Sequence, residues 1–298
     1  VSFRAQILGA AAGGGLPQWN CGCENCNSAR AGKIPSQTQS SLAVTANDRD
    51  WAVLNASPDI RMQLSQVTAL FPMDLRQLPL YAVLVTNGDI DHVAGLLTLR
   101  EMQPFTLFAT QGIHDVLGEN PIFDALNREV VKRHAIALDT PFELAPELTA
   151  ILFAVPGKVP LYLEGEEVQT DLIGEQTVGV ELRTNSTIAH YIPGCAHLND
   201  DLRARLQGSD VVFFDGTLWR DDEMVRAGLG QKTGQRMGHM SMSGPDGSIA
   251  AFEGLEVGKK VFIHMNNTNP VLRPDSEEKA TAMAAGWIIG QDGMEITP

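Results

Sequence analysis

Four apolar runs in this chain each stop at a cluster of polar, chemistry-bearing residues, and no other feature restricts the fold as strongly. Tyr81–Thr86 runs into Asn87-Gly88-Asp89, and Ala189–Ile192 into Pro193-Gly194-Cys195. Val211–Phe214 runs into Asp215-Gly216-Thr217, and Val261–Ile263 into His264-Met265-Asn266-Asn267. Ligand and catalytic groups gather just beyond strand ends in α/β folds, where loops converge without disturbing the core. Any one of these ends can be an ordinary turn. Four that carry Asp, His and Cys predict a shared site.

The remaining pattern supplies the scaffold. Strands are predicted over Phe3–Leu8 (as an edge strand), Ser41–Ala46, Trp51–Leu54, Tyr81–Thr86 and Thr106–Ala109. Others follow over Thr149–Val155, Thr177–Leu182, Thr187–Ile192, Val211–Asp215 and Val261–Met265. Helical spacing is read over His92–Glu101, Asn120–Lys132, Asp200–Leu206, Asp222–Ala227, Ile249–Leu255 and Ser276–Ala285. Strands interleaved with helices suggest an α/β protein in which sheets lie between helix layers. Pro and Gly punctuate turns without forming a linker, so one domain is expected over 1–298.

Charge and cysteine usage narrow the function. Twenty-two basic residues against 36 acidic ones give a net charge of −14, which repels phosphate backbones and argues against nucleic acid. No run approaches the roughly 18–20 apolar residues of a membrane span. The start, Val1 to Gly15, dissolves into a glycine loop and does not read as a signal peptide. Three close cysteines and a distant Cys195 make a poor disulfide framework, and metal-bound thiolates in a reducing cytoplasm are the better account.

Two clusters carry metal chemistry. Cys21-Gly22-Cys23-Glu24-Asn25-Cys26 can fold three thiolates onto one ion, a soft donor set that favours structural zinc. Three buried thiols without an ion are the alternative. Asp89, Asp91 and His92 can face one point on a tight turn before a helix. They resemble the start of a calcium loop but lack its glycine and distal glutamate. With His264 they give two imidazoles and one or two carboxylates, the donor set of non-haem Fe(II) centres with open positions. His239, in a glycine-rich stretch, suits a general acid/base, a substrate contact or a surface position. His114, His134, His190 and His197 are read as structural or exposed.

Thr86-Asn87-Gly88-Asp89-Ile90-Asp91-His92 resembles the Thr-His-x-His-x-Asp-His signature of the metallo-β-lactamase superfamily, with Asn87 and Asp89 in place of the first two histidines. Within it, the chain resembles the pyrroloquinoline quinone biosynthesis protein B family. The matching runs are Gly13–Cys26, Leu54–Arg61, Thr86–Arg100, Val155–Pro160, Tyr191–Ala196 and His264–Pro270. The resemblance implies a metallo-β-lactamase-like αββα four-layer sandwich. It also implies a zinc knot of Cys21, Cys23 and Cys26. Relatives close such a knot with a histidine three positions after the last metal histidine. Here that position is Asn267, so Asn267 or a water would be the fourth ligand.

Hydrolases of this fold use two metals about 3.5–4 Å apart. By the same resemblance, a first-metal histidine is replaced around Lys158 and the bridging aspartate by Cys195. What survives is Asp91, His92 and His264, which implies a mononuclear site. The family is associated with synthesis of the redox cofactor pyrroloquinoline quinone (PQQ). The implied activity is iron-dependent oxygenation of the tyrosine-derived ring of a cross-linked Glu-Tyr precursor by dioxygen. The alternatives are a soluble carrier of PQQ or its precursor towards the periplasm, and a residual hydrolase. A homodimer is compatible with either role. In the oxygenase reading Asp89 is a further ligand or a base, and His239 moves protons. Lys158, Arg61 and Arg100 are expected to meet substrate carboxylates.

Overall fold

The structure, a computed structural model, describes residues 2–165 and 168–298. Two seven-stranded sheets lie face to face with helices outside each. The first sheet holds β1 (Arg4–Gly9), β2 (Ser41–Thr45), β3 (Trp51–Leu54), β4 (Leu80–Leu84), β5 (Phe105–Ala109) and β6 (Val131–Ala135). The second holds β7 (Pro141–Ala145), β8 (Leu148–Ala154), β9 (Val178–Arg183), β10 (Ile188–Ile192), β11 (Val211–Asp215), β12 (Lys259–Ile263) and β13 (Trp287–Ile289). The last strand, β14 (Glu295–Ile296), returns to the first sheet beside β1. The orders are β14-β1-β2-β3-β4-β5-β6 and β13-β12-β11-β10-β9-β8-β7.

Strand periodicity builds the layers. Ala82 and Leu84 of β4 join the cluster between the sheets, whereas Val83 and the following Val85 join the outer cluster. Alternate side chains of one strand leave opposite faces of the sheet, so a strand covered on both sides reads as a continuous apolar run. The outer cluster of the first sheet takes Ile60 from α2 (Ile60–Gln66) and Ile113 and Leu117 from α4 (Gln111–Gly118). Leu202 and Leu206 of α5 (Asp200–Leu206), with Phe252 and Ala282, close the second sheet. This is the αββα sandwich.

Several predicted elements differ. The expected edge strand at Phe3–Leu8 is β1, which is covered on both sides by β14 and β2. The helix expected over His92–Glu101 splits into α3 (Ile90–Val93) and a 3-10 turn over Ala94–Leu97. Gly95 presses there against the Ala56–Ser57 backbone, and a Cβ would stand 2.1 Å from the Ser57 carbonyl oxygen. The helix expected over Asn120–Lys132 is a 3-10 turn, Pro121–Ala125, followed by edge strand β6. Only Val131 of that strand is buried, so its sequence shows no alternation. A short helix missed from sequence, α1 (Glu24–Arg30), grows from the cysteine cluster, with Cys23 Sγ accepting the Cys26 N–H.

The parallel strands β4, β10, β11 and β12 end on one edge, and a buried polar clasp fixes that edge across the sandwich. Asn55, at φ +64°, accepts the Thr86 N–H through Oδ1 and donates to Thr86 Oγ1 and to the Tyr191 hydroxyl. Asn55→Ala would strand the buried Thr86 N–H and put at φ +64° a residue that tolerates the left-handed region less well than asparagine. Urea unfolding of that variant is expected to show a loss of about 2–3 kcal/mol.

Candidate metal centre

The centre is assembled from both sheets. The turn after β4 delivers Asn87, Asp89, Asp91 and His92, and β12 ends at His264, held at φ +57°. His92 is 1% exposed, and its Nδ1 lies 2.7 Å from Asn87 Oδ1, a carbonyl that can only accept. The proton therefore sits on Nδ1, and Nε2 carries a lone pair. That Nε2 is buried, 3.7 Å from Asp91 Oδ2, and has no hydrogen-bond partner among the described residues. A buried imidazole nitrogen that carries its lone pair and no hydrogen-bond partner is free to ligate a metal.

His264 follows the same logic. Thr217 Oγ1 lies 2.6 Å from the ionised Asp215 Oδ1, to which it donates, and 2.9 Å from His264 Nδ1, from which it accepts. His264 Nε2 then faces Asp91 Oδ2 at 3.1 Å. Donor atoms of Asp91, His92 and His264 all lie within 4.8 Å of one another. Two acceptors meeting at that distance need a positive charge between them. Burial alone favours neutral groups, but the Asp91 carboxylate outweighs it and raises His264. Burial opposes ionisation of Asp91 as well, yet His92 and His264 hold it well below the usual carboxylate range. Burial pushes His92 down to about 4, so it stands as a neutral ligand near pH 7. A divalent cation fits this donor set.

The rest of the cavity, about 310 Å³, surrounds the triple. Asp89 lines it outside the triple, raised to about 6 by burial and by the neighbouring Asp91 charge. His239 stacks on His264 with ring centroids 5.3 Å apart, and its Nδ1 meets Asp215 Oδ2 at 2.6 Å. Asp215 is fully buried and also accepts the N–H groups of Cys195 and Thr217. Its oxygens are spoken for by these donors, so it orients His239 and leaves His239 Nε2 towards the cavity. Asp215 and Thr217 belong to one of the four strand ends, but their orienting roles were not anticipated. Asn87, expected only as a lost ligand, proves to orient His92.

Two expectations need correction. Cys195 does not stand where a bridging ligand would. It is buried, its Sγ lies 3.2 Å from the His197 carbonyl, and desolvation pushes its thiol far up. Its neighbour Gly194 lines the cavity instead. Arg61 and Arg100 are exposed and lie outside the cavity lining, with Arg100 donating to the Leu97 carbonyl. Lys158 does line the cavity, but it is paired with Glu164 at 2.9 Å. His190 is structural, between Ser209 and Glu181, while His134 and His197 are exposed. His114 sits beside the His134 carbonyl.

At the second cluster the Asn267 amide points among all three sulfurs, 3.2 Å from Cys21 and Cys26 and 3.6 Å from Cys23. Turning this near-isosteric amide over offers its oxygen to an ion held by the thiolates. Burial opposes the Cys21 thiolate, but hydrogen bonds from the Cys23 backbone and neighbouring groups outweigh it and lower Cys21. Burial raises Cys23 to about 11, a cost that a bound cation removes. Three sulfurs and an amide oxygen fit a closed structural zinc.

Comparison with known proteins agrees with this architecture. The family model described as Beta-lactamase superfamily domain matches residues 50–265. Coenzyme PQQ synthesis protein B of Ruegeria pomeroyi is 59% identical over 294 residues, covering 99% of each chain. The protein of the same name from Methylorubrum extorquens strain PA1 is 52% identical, covering 97% of this chain and 98% of its own. This chain belongs to the coenzyme PQQ synthesis protein B family. The crystal structure of zinc-bound PqqB from Methylobacterium extorquens superposes with a TM-score of 0.97 at 51% identity, covering 98% of this chain and 99% of that one. A diphosphatase of the PhnP family shares the fold alone, with a TM-score of 0.70 at 20% identity and coverage of 100% and 98%.

Two outcomes check the centre. Asn87→Leu removes the carbonyl that fixes the His92 tautomer and is expected to weaken metal binding at the triple about 10- to 100-fold in competition titrations. Cys26→Ser is expected to cost one equivalent of zinc by elemental analysis and to lower the melting temperature, with Asp91, His92 and His264 still able to take an ion.

Proposed function

We propose that this protein takes part in PQQ synthesis as an iron-dependent oxygenase acting on the tyrosine-derived ring of the cross-linked Glu-Tyr precursor. The observation that carries the reading is the donor set of Asp91, His92 and His264, with His92 Nε2 buried and unpartnered among the described residues. Asn87 is occupied with His92, Asp215 is engaged by His239, Thr217 and the Cys195 N–H, and His264 is shared with Asp91 and His92, so the group of Asp215, His239 and His264 suits orienting His239 better than holding a second cation. A single ion with two imidazoles and one carboxylate suits non-haem iron. Zinc, named for the Methylobacterium extorquens relative, has no redox chemistry of its own.

Iron held by Asp91, His92 and His264 would supply the activation of dioxygen. The protein's own residues bind, orient and move protons. A cavity of about 310 Å³ lies at the small end of ligand pockets and suits a diamino acid better than a long peptide. Leu161, Tyr162 and Met237 give it apolar surface for an aromatic ring. His239, with Nδ1 held by Asp215, presents Nε2 as the group that takes the phenolic proton, which has a pKa near 10 in water. Asp89, raised to about 6, can hold or release a proton close to neutral pH. None of the described helices is long and apolar enough to cross a membrane.

The test is oxygen uptake with Fe(II)-loaded protein and the cross-linked diamino acid. Wild type is expected to consume oxygen with the iron form and not with the zinc form. His92→Ala and His264→Ala are expected to abolish uptake. His239→Gln is expected to lower kcat about 10²- to 10⁴-fold with little change in KM. Tight precursor binding without oxygen uptake, indifferent to chelation, would favour a carrier instead.

A further inference from the structure

Beyond the metal donors, the cavity lining carries the cations Lys158, Lys232 and Arg236, an unusual concentration on a chain of net charge −14. Arg236 lies on α7 (Gly234–Met237), capped by Thr233, whose hydroxyl accepts the Arg236 N–H. Gly238 ends that helix at φ +82°, and the chain turns directly into His239. The stem of Lys158 packs on this turn, its Cγ 3.3 Å from where a Gly238 Cβ would stand. Arg236 and His239 thus sit three residues apart on one braced segment.

The guanidinium is only half used. Arg236 Nη2 donates to Glu164 Oε2 at 3.1 Å, and Lys158 Nζ lies 2.9 Å from Glu164 Oε1. Burial opposes the Glu164 carboxylate, but Arg236 and Lys158 outweigh it and hold it at about 2. One buried anion therefore steadies two cations and leaves a net positive charge. Arg236 Nη1 is buried and has no hydrogen-bond partner among the described residues. It shares that condition with only one other residue of the cavity lining among the described residues, His92 at Nε2. A buried guanidinium N–H left without an acceptor is costly, and a planar fork is matched best by a carboxylate.

We propose that Arg236, steadied by Glu164 and flanked by Lys158, is the carboxylate anchor of this cavity and selects acid-bearing aromatic ligands over neutral ones. This assignment rests on the small-molecule reading of the site, and it adds a specificity residue that replaces Arg61 and Arg100 in that role. A carboxylate fixed at Arg236 holds the rest of the ligand beside His239 and the metal triple. Lysine at position 236 would keep the charge but lose the fork.

The experiment is calorimetric titration of the zinc-loaded protein with 3-(4-hydroxyphenyl)propanoate and with its primary amide, neither of which requires turnover. Wild type is expected to bind the acid at least about ten-fold more tightly than the amide. Arg236→Gln is expected to erase that preference chiefly by weakening acid binding, and Arg236→Lys to retain part of it. Equal affinities in wild type, no measurable acid binding, or an undiminished preference in Arg236→Gln would overturn the proposal. If the glutamine variant fails to fold, a full preference in Arg236→Lys overturns it in the same way. No iron or dioxygen is involved, so a protein that bound as expected but consumed no oxygen would refute the oxygenase reading alone. Full oxygen uptake by Arg236→Gln with the preference intact would refute the anchor alone.

Discussion

The meeting of Asp91 with His264 across the sandwich is the interaction on which the rest of the architecture turns. One partner comes from the turn after the first sheet's β4, the other from the end of the second sheet's β12, 173 residues later. Neither donor set is complete within one sheet. Buried charges of this kind persist only when paired or when coordinating a cation. The sandwich fixes the distance between its own edges, and a cation is the group that reconciles the acceptors gathered there. Thr217, Asn87 and Asp215 then serve to point each imidazole, since a histidine ligand depends on the partner of its other nitrogen.

Around that meeting point the cavity lining supplies more than metal donors. Asn87 has turned from a would-be ligand into the acceptor that sets the His92 tautomer. Gly194 lines the cavity without a donor side chain, and Lys158 adds an ammonium to the same lining, tied to Glu164. A positively charged wall thus shares a cavity of about 310 Å³ with the metal donor set.

Much of this was legible in the sequence, because strands covered on both faces read as apolar runs and their polar ends announced the site. The metal triple and the cysteine cluster lie at short spacings or at such ends. Other features were hidden for definite reasons. Strand β6 is an edge with one buried residue, so it carries no alternation. Gly194 and Cys195 are adjacent, and only the direction of the backbone decides which one faces the cavity. Glu164 and Arg236 are 72 residues apart, and nothing local to either shows that they meet. Arg61 and Arg100 were plausible by charge alone, which says nothing about where a side chain points.

The central claim is that one catalytic cation sits at Asp91, His92 and His264, with zinc confined to the cysteines. Anomalous scattering at the iron and zinc edges from crystals of iron-loaded protein tests it directly. The account expects a single iron peak among those three residues and a zinc peak among Cys21, Cys23 and Cys26. A pair of ions in the cavity, with the second bound near Asn87 and Lys158, would contradict it.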